Sequence, residues 1–218
     1  KNVSTYIYDI SVRKQMKIIP FYSGGMESNS FLVTDSGEAV LIDAGASPEQ
    51  VSEALQKENA VLKYILLTHG HFDHTVYADS LRDATGAKLL IHGDDAEMLT
   101  DAHKSALAVF FNKYDTVSPC DGTVKSSDTV TVGSTELKVI HTPGHSNGSV
   151  CYLTEGAIFA GDTLFAQGFG RFDLYGGSFE KLKNSLSALK SLNGELDIYS
   201  GHGGPSKLKK ALDRLNFI

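Results

Sequence analysis

Three histidines and one aspartate lie within six residues of one another, in the segment Thr68-His69-Gly70-His71-Phe72-Asp73-His74. The segment directly follows residues 61–67, a short and almost wholly apolar run that is typical of a strand buried on both faces. So many buried polar groups without partners would be unfavourable by several kcal/mol. A metal ion would satisfy them together, and imidazole nitrogen with carboxylate oxygen suits zinc, iron or manganese. The segment therefore predicts a metal centre at the end of this strand.

Three further candidate ligands follow later predicted strands. His145 closes the segment His-Thr-Pro-Gly-His, Asp162 lies within Gly-Asp-Thr, and His202 lies within Gly-His-Gly. The small neighbours let the backbone approach a common centre closely. Each residue alone could equally be structural, but their shared position at strand ends favours the metal centre.

Predicted strands and helices alternate along the chain and would position these residues. Residues 31–33 and 39–42 predict a hairpin with its turn at Asp35-Ser36-Gly37, and residues 149–153 and 157–160 predict a second one. The hairpins superpose with a shift of 119 residues, which places Gly37 on Gly156 and Asp43 on Asp162. This match points to an internal duplication. We therefore expect one domain, residues 1–218, with two similar halves at about 1–125 and 126–218.

Local signals predict the remaining elements. Ser47-Pro48-Glu49-Gln50 predicts a capped helix start, and residues 75–85 predict a helix ended by Gly86. Another helix is expected to start near Asp94. Further strands are predicted at residues 88–92, 129–132, 136–140 and 197–200, and further helices from Ser178 to about Leu192 and from Ser206 onward.

The composition excludes several classes of protein. A net charge of −6 disfavours a nucleic-acid partner. No apolar run approaches the roughly 18–20 residues of a membrane span, and residues 1–15 have no apolar signal core. Cys120 and Cys151 form no short-spaced pair, so neither a disulfide framework nor a thiolate zinc site is expected. We expect a cytoplasmic protein with no nucleic-acid or membrane partner, and the sequence leaves its oligomeric state open.

Four segments carry a family resemblance. Thr-His-Gly-His-Phe-Asp-His, His-Thr-Pro-Gly-His-Ser-Asn-Gly-Ser, Gly-Asp-Thr-Leu-Phe and Ser-Gly-His-Gly-Gly-Pro occur in this order between residues 28 and 206. Together they resemble the metallo-β-lactamase superfamily, specifically its glyoxalase II (hydroxyacylglutathione hydrolase) branch. The resemblance implies an α/β fold, the four-layer αβ/βα sandwich of that superfamily, which agrees with the two similar halves.

The resemblance also implies ligands for two divalent metal ions, with zinc expected and iron or manganese as alternatives. The first ion would be held by His69, His71 and His145, the second by Asp73, His74 and His202, and both by Asp162.

Four other residues were considered beside these ligands, and none of them is implied to bind metal directly. Asp43 is implied to hydrogen-bond the ligand loop. His141 is expected to support the ligands or to be structural, and His92 and His103 match no ligand position.

The implied function is a hydrolase that cleaves a small-molecule ester or thioester, such as S-lactoylglutathione, through a metal-bridging hydroxide. Asp73 and Asp162 are the predicted catalytic residues, and Asp73 could accept the proton of the hydroxide. Arg171 and Tyr175, in the glycine-rich loop at residues 168–177, could bind the carboxylate of an acidic thiol. Pairing of Arg171 with Asp173 is an equally good alternative.

The thiol carrier stays open. Only 16 residues follow His202 (218 minus 202), fewer than the extra helical domain of full-length glyoxalase II contains. A short form without that domain is therefore expected.

The same residues also bear on other possible activities. A mononuclear iron persulfide dioxygenase and a lactonase or esterase on the same fold remain alternatives. Gly-His-Ser-Asn-Gly at residues 144–148 matches a serine nucleophile elbow, but an elbow needs a helix directly after the serine, and residues 149–153 predict a strand. His71 disfavours a flavodiiron protein, which has Glu there, and class B1 β-lactamases use a Cys ligand.

Overall fold

Two six-stranded sheets form the centre of the fold. The structure is a computed structural model, which describes residues 16–216. The first sheet has the order β1-β2-β3-β4-β5-β6, with β1 (Lys17–Phe21), β2 (Ser30–Asp35), β3 (Glu38–Ile42), β4 (Val61–Leu66), β5 (Lys88–His92) and β6 (Gly122–Val124). The second has the order β12-β11-β10-β9-β8-β7, with β7 (Thr129–Val132), β8 (Thr135–His141), β9 (Val150–Thr154), β10 (Ala157–Gly161), β11 (Asp197–Ser200) and β12 (Ser206–Lys207).

The helices lie between or after these strands. They are α1 (Pro48–Glu58), α2 (Phe72–Thr75), α3 (Ala78–Thr85), a 3₁₀ helix (Gly93–Thr100), α4 (Leu107–Phe111), α5 (Phe179–Leu189) and α6 (Leu208–Leu212). None of the helices in the described range is long and apolar enough to cross a membrane.

Alternating side chains on the strands build three apolar layers. On β2, Phe31 and Val33 pack between the two sheets, whereas Leu32 packs with α1 and α3 on the outer face. Successive strand residues point to opposite faces, so a sheet covered on both sides needs apolar residues at nearly every position. A third layer joins the second sheet to α5 and α6. The order helix, sheet, sheet, helix confirms the predicted four-layer αβ/βα sandwich.

The two predicted hairpins are confirmed. β2 pairs with β3 and β9 pairs with β10, both antiparallel. The capped start of α1 is also confirmed, because Ser47 accepts from the Gln50 amide and the Gln50 side chain accepts from the Ser47 amide. Gly86 ends α3 with φ 71°, in the left-handed region that favours glycine.

One helix prediction was wrong in form, and the helix predicted near Asp94 is confirmed as a 3₁₀ helix. The helix predicted at 75–85 is divided into α2 and α3, because the chain is fastened to Ala44, whose amide donates to His74 O and whose carbonyl accepts from Tyr77 N. Near Asp94 the chain forms a 3₁₀ helix rather than an α-helix. The buried carboxylate of Asp95 binds groups of two other loops, which holds this segment away from regular α-helical geometry.

One predicted burial pattern and two predicted helix boundaries also differ from the structure. β4 is not buried throughout, because Val61 and Lys63 at its start are exposed and only its second half enters the core. α5 ends at Leu189 rather than near Leu192. The tail after Ser206 first pairs as β12 and becomes helical only at Leu208.

Candidate metal centre

All seven predicted ligands follow strand ends at one edge of the two sheets. β3, β4 and β5 are parallel neighbours in the first sheet, and β10 and β11 are parallel neighbours in the second. The carboxyl ends of parallel strands meet at the same edge, where ligands usually bind in such sheets. The structure thereby brings together His69, His71, Asp73, His74, His145, Asp162 and His202.

Three imidazoles form the first group. Nε2 of His69 lies 3.1 Å from Nε2 of His145, and Nδ1 of His71 lies 2.9 Å from the same nitrogen. Two nitrogens of a tetrahedral zinc site with Zn–N bonds of about 2.0–2.1 Å lie roughly 3.3 Å apart. Nδ1 of His145 donates to the Arg171 carbonyl at 2.7 Å. The lone pair of His145 is therefore on Nε2 and points into the group.

A more acidic group lies beside it. Nε2 of His202 lies 3.0 Å from Oδ2 of Asp73, and Nε2 of His74 lies 3.6 Å from the same oxygen. Asp162 reaches both groups, with Oδ1 at 3.3 Å from His74 and Oδ2 at 3.7 Å from Nε2 of His145. One carboxylate therefore stands between two sets of nitrogen and oxygen donors.

Buried polar atoms in this cluster have no hydrogen-bond partner. Among the described residues, four buried side-chain atoms are unpartnered, and three of them are His71 Nε2, His74 Nε2 and Asp162 Oδ1. Leaving such an atom unsatisfied is unfavourable by about 1–3 kcal/mol. Cations at the centre of the cluster would bind His74 Nε2 and Asp162 Oδ1, so the donor set fits divalent metal ions.

Burial keeps two imidazoles of the first group, His69 and His71, neutral. It is the main reason that the pKa of His69 lies well below its usual value, and the neighbouring imidazoles lower that pKa further. Burial, followed by His145, lowers the pKa of His71 to about 3. Neutral imidazoles keep the lone pairs that metal binding requires.

The second group carries the opposite electrostatic pattern. Burial by itself would lower the pKa of His74, but Asp43, Asp73 and Asp162 together raise that pKa well above its usual value. A hydrogen bond to Asp73 is the main reason that the pKa of His202 is raised. Despite burial, the neighbouring histidines hold the pKa of Asp162 below its usual range. Three carboxylates thus favour positive charge here, whether from protons or from a metal ion.

Asp43 orients the ligand loop. Its carboxylate accepts from the Thr68 amide at 2.7 Å and from the Thr68 hydroxyl at 2.8 Å. Nδ1 of His74 donates to Oδ2 of Asp43 at 2.8 Å. This contact leaves the lone pair of His74 on Nε2, which faces Asp73 and Asp162. Carboxylate–histidine contacts of this kind fix the orientation of metal-binding imidazoles.

Close backbone approach is required at Gly201. A Cβ added there would collide with Oδ1 of Asp162 and with the His74 ring. The small residue beside His202 therefore makes room for two other predicted ligands.

Asp95 organises the other side of the centre, and the sequence analysis missed it. Its side chain is fully buried. Oδ2 accepts from the Gly70 amide at 3.1 Å and from the Ser146 hydroxyl at 2.6 Å, and Oδ1 accepts from the Gly148 amide at 2.6 Å. Gly70 lies between two predicted ligands, and Ser146 follows His145. Asp95 also follows a strand end, which was the one signal in the sequence that could have indicated it.

His141 lies outside the cluster. Its Nε2 donates to the Asn147 carbonyl at 2.8 Å, and its ring stacks on His92 with centroids 4.3 Å apart and an interplanar angle of 7°. With Asp94 these two histidines form another group of possible ligand atoms. Lone pairs of parallel stacked rings lie in parallel planes, however, so both rings cannot point at one ion without rotating.

The two predicted substrate contacts are engaged with local acids. Nε and Nη2 of Arg171 donate to Asp173 at 2.7 and 2.9 Å, which is the pairing expected as the alternative. The hydroxyl of Tyr175 donates to Glu97 at 2.5 Å. Substrate binding by Arg171 and Tyr175 stays a prediction.

A cavity of about 350 Å³ opens onto the cluster. This volume lies at the lower end of the range of about 300–1,000 Å³ that is usual for small-molecule sites. Five predicted ligands line it together with Phe72, Ala106, Phe110, Phe165, Gly170, Arg171 and Leu174.

Sequence comparison identifies the family. The Metallo-beta-lactamase superfamily profile matches residues 23–202, so the chain belongs to this superfamily. Its members are generally hydrolytic enzymes that bind divalent metal ions.

Individual relatives differ in their named activities. A hydroxyacylglutathione hydrolase of Cereibacter sphaeroides is 35% identical over 181 residues, which are 81% of this chain and 62% of that enzyme. The crystal structure of the B3 metallo-β-lactamase BLEG-1 matches with a TM-score of 0.83 and 32% identity, covering 93% of this chain and 99% of that one. The structure of TTHA1623 in a di-iron-bound form matches with a TM-score of 0.80 and 30% identity, covering 92% and 100%.

Proposed function

We propose that this chain is a dinuclear metal-dependent hydrolase that cleaves a thioester, such as S-lactoylglutathione or a related acyl-thiol. The observation that carries the proposal is the pair of donor groups joined by Asp162 beside an open cavity. The named activity of the Cereibacter sphaeroides relative supports a thioester, although this chain spans only 62% of that enzyme's length.

The proposed ligands follow the two groups. The first ion would be held by His69, His71 and His145, the second by Asp73, His74 and His202, and Asp162 would bind both. When bound, two such ions supply a hydroxide at neutral pH and polarise the substrate carbonyl. Zinc suits these donors, and the di-iron form of TTHA1623 supports iron as the main alternative.

The chain's own residues orient the donors and accept protons. Asp43 keeps the Nδ1 proton on His74, and the Arg171 carbonyl keeps the Nδ1 proton on His145. The pKa of Asp73 is lowered because His74 and the His202 hydrogen bond outweigh its burial. Asp73 is therefore ionised at neutral pH and can accept a proton from the attacking water. Water adds to the acyl carbon, the carbon–sulfur bond breaks, and the products are a carboxylate, a thiol and a proton.

Metal removal and reconstitution test this function. The purified protein is stripped with a chelator and reloaded with zinc, iron(II) or manganese, and bound metal and loss of thioester absorbance are measured together. We expect about two ions per chain at full activity with S-lactoylglutathione and no turnover in the stripped protein. Two bound ions without turnover of any thioester would refute the thioesterase assignment.

A second candidate is a mononuclear iron persulfide dioxygenase. It is favoured by the asymmetry of the centre, because the first group is almost completely buried whereas the His202 side chain is 39% exposed. One iron per chain, oxygen uptake with glutathione persulfide and no thioester hydrolysis would support it. Turnover of a lactone or a β-lactam without thioester turnover would instead indicate a hydrolase of another ester or amide.

A further inference from the structure

The cavity beside the metal centre is chemically divided. Five predicted ligands form part of its lining, and the apolar side chains of Phe72, Phe110, Phe165 and Leu174 form another part, which we call the apolar wall. Three phenylalanines around one small cavity exceed what is needed to bind a short hydroxylated acyl group. Such a wall stabilises a ligand in proportion to the apolar surface that the ligand removes from water.

The wall residues come from three segments of the chain, which are α2, α4 and the loop that follows β10. Phe110 belongs to α4, and the Arg171 guanidinium lies 5.1 Å from the centroid of its ring. The ring of Phe72 lies 6.4 Å from that of Phe110. Phe110 nevertheless remains 46% exposed, so a bound apolar group would cover surface that now faces solvent.

The basic side chains near the cavity are paired with acids. Among the described residues that line it, Arg171 is the one lysine or arginine. Two of its nitrogens are bound to Asp173, and its guanidinium also contacts the Phe110 ring. Lys104, which does not line the cavity, donates a single hydrogen bond from Nζ to Glu97. An acidic carrier such as glutathione, with two carboxylates, would have to displace one of these acids.

From this geometry we propose that, among the related acyl-thiols, the preferred substrate is an uncharged thioester whose acyl chain is apolar and packs against Phe110, rather than S-lactoylglutathione itself. The inference rests on the proposed hydrolase function and deepens it by naming the substrate class. It assigns Phe110 the role of selecting acyl length and Asp173 the role of disfavouring acidic thiols.

The first experiment varies acyl length on one neutral thiol. The metal-loaded protein is assayed with the acetyl, butanoyl and hexanoyl thioesters of N-acetylcysteamine. We expect kcat/KM to rise about twofold per added methylene, which is roughly half the free-energy gain of complete burial, because Phe110 is 46% exposed. A kcat/KM that stays constant or falls with increasing acyl length would overturn the inference. The proposed function would stand as long as the acetyl thioester is hydrolysed.

A pair of variants on α4 assigns the selectivity to the wall. Phe110→Ala should lower the hexanoyl-to-acetyl ratio of kcat/KM at least threefold, because the longer acyl chain loses more apolar contact than the acetyl group does. Val109→Ala is the matched control, since Val109 lies on the same helix, is 59% exposed and does not line the cavity. Equal ratios in the wild type and in Phe110→Ala would overturn the role of Phe110.

The charge argument is tested by a gain of activity. We expect the wild type to prefer S-butanoyl-N-acetylcysteamine over S-butanoylglutathione in kcat/KM. Asp173→Asn weakens the ion pair with Arg171. The variant should reduce the ratio of the two kcat/KM values severalfold, mainly by lowering KM for the glutathione thioester. An unchanged preference would overturn the role of Asp173. Failure to hydrolyse any of these thioesters with two ions bound would instead refute the proposed function, and this inference with it.

Discussion

The two donor groups of the centre lie side by side but differ in burial and in charge. His69, His71 and His145 are nearly inaccessible to solvent, and burial lowers the pKa of His69 and of His71, which keeps these two imidazoles neutral. The second group includes a carboxylate, and its member His202 is partly exposed. This edge of the sheets therefore offers one buried group of candidate ligands and one group with a member, His202, that is partly exposed to solvent.

In the proposed two-metal centre, burial of the first group would favour retention of an ion, and exposure of the second group would give solvent and substrate access. A buried set of neutral imidazoles loses little conformational entropy on binding an ion, because its side chains are already held in place. A carboxylate-rich set attracts a cation strongly but exchanges it more readily when one ligand faces solvent.

Substitution of Asp162 should have the largest effect, because this carboxylate stands between both groups. We expect Asp162→Asn to reduce kcat roughly 10³-fold, since it removes a negative charge from both proposed ions. Metal analysis and thioester turnover measure the outcome. His103→Gln is the control, because His103 is exposed and lies outside the centre. Wild-type activity in Asp162→Asn would contradict the assignment.

Removing one ligand from each group should separate them. His202→Ala is expected to lower bound metal from about two ions to about one and to reduce kcat/KM roughly 100-fold, because loss of even an outer partner weakens metal binding about 10–100-fold. His71→Ala should instead empty the first group. Retention of two tightly bound ions by His202→Ala would show that His202 is not a ligand.

The two buried aspartates should each affect one group. Asp43→Asn weakens the contact that orients His74, and we expect metal affinity of the second group to fall about 10–100-fold. Asp95→Asn places an amide donor against the Gly70, Ser146 and Gly148 donors and should weaken the first group by a similar factor.

Competition with a chelating dye measures the two affinities separately. Thermal unfolding gives the accompanying loss of stability, which we expect to be about 1–3 kcal/mol for Asp95→Asn. Identical metal affinities in both variants and in the wild type would contradict the positioning roles.

Chelator kinetics should show the smallest difference. With excess chelator we expect metal to leave in two phases, the faster one from the second group, because its member His202 is 39% exposed. His202→Ala should lack the faster phase, because its second site is already empty. A single phase in the wild type would mean that both ions are lost in one opening event of the centre.

Much of the fold was predictable from short-range signals. The hairpins at residues 31–42 and 149–160 follow from alternating apolar strands around glycine turns, and the start of α1 follows from its capping box. These features depend on neighbours within a few residues. The break between α2 and α3 was not predictable in this way, because it depends on hydrogen bonds between Ala44 and residues more than 25 positions later.

The candidate site shows the same division. The seven predicted ligands were named from residue type and spacing, and the structure gathers all of them into one cluster, while their binding of metal stays a prediction. Asp95 was missed because its partners Ser146 and Gly148 lie 51 and 53 residues away in sequence. The role of α4 as a cavity wall was missed for the same reason.

The sequence by itself determined the residue types of the centre, the strands that end beside them and the resemblance that led to the correct sandwich. Only the tertiary structure decided which nitrogens converge and which carboxylates orient them. It also showed that Arg171 is bound to Asp173 and contacts the Phe110 ring. The physical reason is that caps, turns and alternation act within a few residues. Convergence of lone pairs, burial of charge and the shape of a cavity depend on how the two sheets pack together.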